Sequence, residues 1–518
     1  MKIKLMQAMR TVAFCAAILT LNGTAMAAGI GKAAFTPAKM KMTTAIPDSI
    51  TMPDKIETRI GTLELFDGFP NDDTVQKAYD FLLFQRGVDV FLSEMPAASM
   101  VALRNGHREL GITESHQVAI FEDLMDSKAL WLTANTETVY ASTFLNLKKD
   151  GPTVIESPPN VLGLLDDMWM RYIGDIGNAG PDRGKGGRFI ILPPGFEGQV
   201  PDGYHVFHSK TYGVWCFLRG FLVDGETGPA VASFKKHLKI YPLSKAGNPP
   251  AMEFKNVSGK VHNTIHANDL KFYEELDSLI QEEYDDAISP EARGRLAMLG
   301  IIKGRPFEPD DDTRKTLDEA ARVGAVIARS VSFASRDKAT YIYPDDHTWF
   351  NPFSIGNHEF LTKDGWLNLD ARVQFMYNAI GITPAMAIAM PGIGSQYAAA
   401  CRDADGAYLD GSKTYKLRLP PNVPAKDFWS IILYDSQTRS MLQTDQQFPS
   451  LNSQRGRVEQ NADGSFDIYF GPKAPSGKEN NWIQTIPGKA FWLLFRLYGP
   501  LDPWFEKTWR PGKIEMVR

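Results

Sequence analysis

The chain has 518 residues, with 56 Lys and Arg against 61 Asp and Glu and a formal net charge of −5. This acidic balance repels polyanions and argues against a protein that coats DNA, although a metal ion or a local basic patch could still hold one phosphate. At roughly 150 residues per domain the length corresponds to about three domains.

In chain order, Lys2, Lys4 and Arg10 precede an apolar run over 11–21, and Ala25-Met26-Ala27 supplies a small-x-small pattern. Residues 1–27 therefore read as a signal peptide cleaved after Ala27, which places the mature chain in the periplasm or the medium. The run is shorter than the roughly 20 apolar residues that span a bilayer as a helix, and no later stretch is long enough. Phe14 stands before Cys15 where a lipid-attachment signal wants a small residue, so a lipoprotein is rejected. Losing the leader takes the net charge from −5 to −8. Residues 28–55, rich in Ala, Lys, Thr and Pro, read as a flexible linker. Export would permit a disulfide between Cys216 and Cys401. Two buried free thiols are the preferred reading, because cysteine packs well as a small hydrophobe.

A first domain is expected over 56–250, helices first and then a β-module. An amphipathic helix starts at Asp73, with Val75, Ala78, Tyr79 and Leu82 at helical spacing, and a second helix is expected over 114–125. His107 and His116 read as surface or satisfied histidines rather than ligands. Segments 138–147, 189–192, 205–208 and 214–221 are rich in β-branched and aromatic residues and bounded by Gly and Pro, which predicts short antiparallel strands. In GVWCFLRGF, alternation puts Val214, Cys216 and Leu218 on one face. A helical region follows over 251–340, where Leu317, Ala320, Ala321, Gly324 and Ala328 make one narrow face of small residues. A second β-module over 341–518 shows clear alternation at Tyr415, Leu417 and Leu419, at Phe466, Ile468 and Phe470, and at Phe491, Leu493, Phe495 and Leu497. The expected fold is mainly β with a helical insertion, an α+β multidomain arrangement of two antiparallel β-sandwich-like modules separated by a helical region.

Polar, aromatic and glycine residues crowd together over 135–188. Glu137, Asp167, Arg171 and Asp175 are the candidate catalytic residues, the carboxylates as acid–base groups or oxygen ligands and Arg171, with Lys185, to steady a developing negative charge, with Trp169 as a pocket wall; the alternative is that Asp167 caps a turn and Arg171 pairs with a neighbour structurally. Asp166 and Asp167 are neighbours, so in a strand they face opposite ways. The loop DRGKGGR offers Asp182, Arg183 and Lys185 as substrate contacts, but Gly186 follows the lysine where a P-loop needs Ser or Thr. His262, His266 and Asp269 would share one side of a helix and suit a divalent metal, the one candidate cofactor, unless Asn268 or Asp269 caps the helix that follows and leaves the histidines before it in irregular chain. Arg439, Asn481 and Trp482, with Asp435, form a further polar and aromatic set suited to a planar or hydroxylated ligand, although a packed tryptophan with an internal salt bridge is the preferred reading.

The strings LTANTETVY, GPTVIESPP, DDMW and GPDRGKGGRFIILPPGFEG, followed by GSQYAAACRDADGAYLDGSKTYKLRLPPNVPAKDFWSIILYD, TRSMLQTDQ, DGSFDIYFGPKAP and FWLLFRLYGPLDPWF, closely resemble an exported bacterial family. That family joins domain of unknown function 1254 to domain of unknown function 1214, and the resemblance runs over about 57–515. It implies β-sandwich-like modules with a helical insertion and little chemistry. The chain departs from the family at NTETVY, where many members resemble NTDTVY; Glu137 keeps the charge and reaches one carbon further.

No nucleophile elbow or dinucleotide fingerprint occurs. The leading expectation is a hydrolase using carboxylates of the first β-module, with or without a divalent metal; phosphodiester cleavage, including nuclease action, is one subclass. The alternative is a non-catalytic envelope protein that binds a small molecule or cell-wall component. The expected partner is thus a small-molecule or envelope-derived substrate, nucleic acid is disfavoured, and the sequence does not set the oligomeric state.

Overall fold

The computed structural model describes residues 44–454 and 458–517. The leader expected over 1–27 and most of the linker lie outside the described residues. The chain divides into a small unit ending at Thr74 and a large one beginning at Val75. In the small unit, β1 (Lys55–Thr58), β2 (Gly61–Phe66) and β3 (Phe69–Pro70) form an antiparallel sheet.

The large unit carries most of helix α1 (Asp72–Glu109), the helix expected from Asp73. Its first turns are largely exposed, and burial becomes continuous from Glu94 through Arg104 only where the sheets and other helices reach it. The expected helix over 114–125 is a correction, because that segment contains strand β4 (Gln117–Ile120). Sheet pairing on both sides outweighs its weak helical spacing.

The strands of the first module continue as β5 (Ala129–Leu130), β6 (Thr138–Asn146), β7 (Thr153–Ser157), β8 (Val161–Asp167) and β9 (Tyr172–Gly177). They are followed by β10 (Gly187–Leu192), β11 (His205–His208), β12 (Gly213–Phe221), β13 (Lys239–Pro242), β14 (Glu253–Asn256) and β15 (His262–Asn263). One six-stranded sheet runs β14-β4-β6-β12-β8-β9, and a four-stranded sheet runs β11-β10-β7-β13. Val139, Leu165, Cys216 and Leu218 of the first meet Ile155, Phe189 and Ile240 of the second in one apolar core. Cys216 and Cys401 are both free and buried.

Helices α2 (Lys271–Glu282), α3 (Pro290–Ala297) and α4 (Asp311–Phe333) come next, the last capped by Asp310, which accepts the Thr313 N–H at 2.8 Å. The small-residue face of α4 is buried, and it lets α1 come close. A Cβ on Gly324 would stand 2.6 Å from the Phe91 ring, and one on Gly87 2.7 Å from Ala320 Cβ.

The second module contains β16 (Tyr341–Tyr343), β17 (Asp346–Phe350), α5 (Leu369–Asn378), α6 (Pro384–Ala387), β18 (Ser395–Ala400), β19 (Tyr415–Leu419) and β20 (Ala425–Asp435). It ends with β21 (Ser450–Asn452), β22 (Phe466–Gly471), β23 (Trp482–Gln484), β24 (Phe491–Pro500) and β25 (Ile514–Met516). Its six-stranded sheet, β16-β17-β18-β24-β20-β21, packs on the four-stranded sheet β23-β22-β19-β25 through Leu417, Ile431, Phe470, Leu493 and Phe495. The chain is mainly β with a helical insertion. Most strand pairs are antiparallel; the parallel ones in the four large sheets, β4 with β14, β10 with β11 and β22 with β23, all lie at sheet edges.

Both six-stranded sheets are covered on both faces. All nine positions of β12 except the last, and all ten of β24, are buried. Their second faces contribute Tyr140, Leu164, Trp215, Phe217, Tyr434, Trp492 and Leu494 to a third core, shared with α1, α2, α4 and α5.

Because Phe91 fills the notch at Gly324, Gly324→Leu should overpack the contact between α1 and α4. We expect a loss of about 1–3 kcal/mol, read as a lower denaturant midpoint with unchanged strand content by circular dichroism.

Candidate functional site

Strand alternation builds a cavity on the second faces of the two large sheets. Tyr140 of β6, Leu164 of β8, and Phe217 and Arg219 of β12 line one side. Tyr397 and Ala399 of β18, and Trp492, Leu494, Arg496 and Tyr498 of β24, line the other, with Asn135, Phe375 and Asn378 completing the wall. Each of these strands turns its alternate residues into a closed apolar core, so the cavity wall is rigidly backed.

The NTETVY motif closes one end. Asn135 Oδ1 accepts from the backbone N–H groups of Glu137 at 3.1 Å and Thr138 at 3.3 Å, and from Thr138 Oγ1 at 3.0 Å, which fixes a tight turn. The second module grips this turn. Tyr434 Oη donates to Ala134 O at 2.6 Å, Arg496 Nη2 to Thr133 O at 2.6 Å, and Asn135 Nδ2 to Tyr498 Oη at 3.2 Å. Glu137 is fully buried; it accepts from Thr136 Oγ1 at 2.7 Å and from Tyr498 Oη at 3.5 Å. Burial raises the Tyr498 pKa well above its ordinary value, and the Glu137 charge adds to that, so Tyr498 keeps its proton.

Four polar atoms of the lining residues are buried without a partner among the described residues: Arg219 Nε, Arg496 Nη1, Trp492 Nε1 and Asn378 Oδ1. Three are donors and two of those belong to guanidinium groups. Leaving such groups unpaired costs about 1–3 kcal/mol each, more for a charged one. Burial works against the charge of Arg496, but Tyr434, Tyr498, Glu137 and Tyr397 around it outweigh burial and hold its pKa above the usual value. Asp175 pairs with Leu164 across β8 and β9, on the cavity-side face. Burial raises its carboxyl to about 6, against hydrogen bonds from Thr383 and Tyr172 and the charge of Arg219.

Asp167, Trp169 and Arg171 come together elsewhere, in a groove lined also by Glu94, Lys210, Arg295, His358 and Arg372. Asp167 Oδ1 accepts the N–H groups of Trp169 at 2.8 Å and Arg171 at 3.0 Å, and Oδ2 accepts Arg171 Nε at 2.6 Å. This carboxylate holds a turn in which Met170 has a positive φ of 51°. Burial raises the pKa of Asp167 even against the Arg171 charge. Trp169 Nε1 donates to Glu94 at 2.8 Å, and burial raises the Glu94 pKa, opposed by that bond and by Arg372 and Arg295. Asp166 faces the opposite way, accepting the Ile382 N–H at 2.8 Å.

The remaining expected residues are scattered. Asp182 is buried and accepts the Gly177 N–H at 2.8 Å, whereas Arg183 and Lys185 are exposed and line neither of these cavities. Arg439 is buried over the Tyr377 ring, its Nε donating to Tyr377 O at 3.1 Å. Asn481 instead bonds Glu459 and Asp467, and Trp482 Nε1 donates to Gly471 O at 2.9 Å, so these two brace β22 and do not form one set with Arg439.

Of the two geometries open for His262, His266 and Asp269, the shared helix face is corrected, and the histidines precede the helix at whose start Asp269 stands. His262 lies in β15, His266 in irregular chain, and Asp269 accepts the Lys271 N–H at 3.0 Å at the start of α2. His262 packs on Phe121 and Trp131, His266 among Phe91, Phe272 and Tyr377. Burial lowers both pKa values, that of His266 to about 3. Among the described residues no group of three or more His, Cys, Asp or Glu side chains could hold a metal ion. His107 is buried and satisfied, bonded to Leu103 O at 2.9 Å and Ser142 Oγ at 2.8 Å.

Sequence reasoning missed Arg219, Trp492, Arg496 and Asn378. The available signal was an arginine on the second face of an otherwise apolar strand, in GVWCFLRGF and again in FWLLFRLYGP.

Residues 116–242 match the family described as "Protein of unknown function (DUF1254)", and residues 394–502 match "Protein of unknown function (DUF1214)". A search of curated proteins returns no match. Among solved structures, the VPA0106 protein from Vibrio parahaemolyticus is 17% identical, covering 83% of this chain and 100% of its own, with a TM-score of 0.49. An uncharacterized protein from Burkholderia cenocepacia is 11% identical, covering 85% of this chain and 96% of its own, with a TM-score of 0.38.

Asp175 yields a pH prediction. Its carboxyl ionises near 3.8 when unperturbed and near 6 in the fold, so between these values the folded state holds the extra proton. The stability this contributes is complete below about pH 4 and is lost as pH rises through 6, by about 3 kcal/mol at most. His266 acts with the opposite sign as pH falls below its ordinary 6.5. The difference between wild type and Asp175→Asn, followed by thermal melting from pH 3.5 to 7, should isolate the aspartate: the variant gains relative stability as pH rises.

Proposed function

We propose, for a chain that belongs to the family joining domain of unknown function 1254 to domain of unknown function 1214, that the cavity between its two modules receives a small anionic molecule with an apolar body. One observation carries this reading: Arg219 and Arg496, both more than nine-tenths buried, line an aromatic-walled cavity and keep guanidinium nitrogens unpaired among the described residues. A carboxylate or similar group would satisfy those donors, Trp492 Nε1 would take a further oxygen, and Phe217, Phe375 and Tyr397 would enclose the apolar part.

Hydrolysis at the end of the same cavity is the second reading, resting on Glu137, which is buried beside the lining residue Tyr498 and does not itself line the cavity. Its carboxylate sits beside the Tyr498 hydroxyl at 3.5 Å, with Arg496 close enough for their charges to interact. Glu137 would act as general base and Arg496 would steady a developing negative charge. Asp167 and Arg171 are assigned instead to holding the turn under Trp169. Export to the periplasm or medium remains part of the proposal on the strength of residues 1–27; intact-mass measurement of exported protein should find a chain beginning at Ala28.

A thermal-shift screen of aromatic and aliphatic carboxylates tests the site. At least one should raise the melting temperature, by the equivalent of about 2.7 kcal/mol at a hundredfold excess over Kd, and Arg219→Met should abolish the shift without unfolding the chain. Absence of any shift, or an equal shift in the variant, would set the reading aside. Glu137→Gln separates the two readings: an enzyme should lose roughly 10²-fold or more in turnover while still binding, and a binder has no turnover to lose.

A further inference from the structure

Arg104 of α1 is 93% buried by fractional area, its residue exposure being 7%. Its Nη1 pairs with Glu282 at 2.8 Å, but Nε and Nη2 have no partner among the described residues. These two nitrogens form the side-on edge of the guanidinium, the pair of parallel donors that grips two oxygens of one oxyanion. Arg104 lines a small cavity, separate from the one between the modules, together with Arg108, Lys148, Tyr212, Glu282 and Glu283.

The charges facing this cavity leave room for an anion. Glu282 is shared between Arg104 and Arg108, the latter at 3.7 Å. Glu283 is committed to the backbone, one oxygen accepting the Gly213 N–H at 2.9 Å and the other the Tyr212 N–H, and burial raises its pKa. Glu114 also lines the cavity and is ion-paired with Lys149. Lys148 donates to the Glu282 carbonyl at 3.2 Å and lies 5.7 Å from the Tyr212 ring centroid, keeping its full charge for the cavity. Arg104, Arg108 and Lys148 thus face Glu114, Glu282 and Glu283, of which Glu114 is paired with Lys149 and Glu283 is biased toward its neutral form.

The geometry points to a phosphate-class oxyanion site on Arg104, with Arg108 and Lys148 as flanking cations. Either free inorganic phosphate or the phosphoryl end of a monoester presents the required pair of oxygens. The site stands independently of the function proposed for the cavity between the modules.

Thermal melting and calorimetric titration with inorganic phosphate, against chloride at matched ionic strength to remove screening effects, provide the test. Wild type should show a saturable shift. Arg104→Lys keeps the charge and deletes the two-donor edge, and should weaken phosphate by roughly 10-fold or more, the equivalent of a lost charged hydrogen bond. If that variant does not fold, Arg108→Gln, at a side chain 45% exposed, should weaken phosphate in the same direction. A parallel titration with glycerol phosphate distinguishes the sources: tighter monoester binding assigns the phosphoryl end of a larger ligand, and equal or weaker binding assigns the free ion. No shift in wild type, or a shift retained in the variant, overturns the proposal.

Discussion

The grip of the second module on the turn over 133–137 is the constraint on which the rest of the large unit depends. Tyr434 and Arg496 satisfy the carbonyl groups of Ala134 and Thr133, and the Thr133 N–H donates to Arg439 O at 3.1 Å. These are buried backbone groups, and leaving them unpaired would cost as much as a lost hydrogen bond each. The two sandwiches are therefore fixed in one relation, and the space between their large sheets has a defined shape. The same side chains that make the joint, Arg496 and Tyr498, also wall the cavity.

Burial on both faces of each large sheet follows from this arrangement. A sheet with one wet face needs only one apolar set of alternate residues. Here β12 and β24 need two, and the second set is where polar residues intrude: Arg219 on β12, Arg496 and Tyr498 on β24. The first set varies little in chemistry because it packs an ordinary core. Chemical individuality is confined to the second, and the functional reading rests there.

Buried arginine recurs through the structure in two kinds. Arg439 is spent on structure, stacked on Tyr377 and bonded to two carbonyl groups, and burial brings its pKa down to about 10. Arg104, Arg219 and Arg496 retain unpaired nitrogens, as Arg439 does at Nη2, but unlike Arg439 they line cavities. Guanidinium tolerates this position better than ammonium because it is weakly hydrated and its charge is spread over a plane. Burying it remains expensive, and where an incompletely paired guanidinium also lines a cavity the arrangement leaves room for a ligand.

The sequence by itself determined the strands and their faces. Alternation at Tyr415, Leu417 and Leu419, and at Val214, Cys216 and Leu218, is a local consequence of side chains pointing to opposite sides of a strand, and it survives into the structure. The long helix from Asp73 and the small-residue face of α4 were legible for the same reason. The strand at Gln117–Ile120 was not, because its identity comes from partners far along the chain, β6 and β14. The site divides the same way. NTETVY announced itself by composition, but of its residues Asn135 lines the cavity between the modules whereas Asp167 lines a different groove, and His262 and His266 point into different aromatic clusters. Only the tertiary structure decided that Arg219 and Arg496 share one cavity, because nothing local couples strands of separate modules; the packing of one sheet against another does.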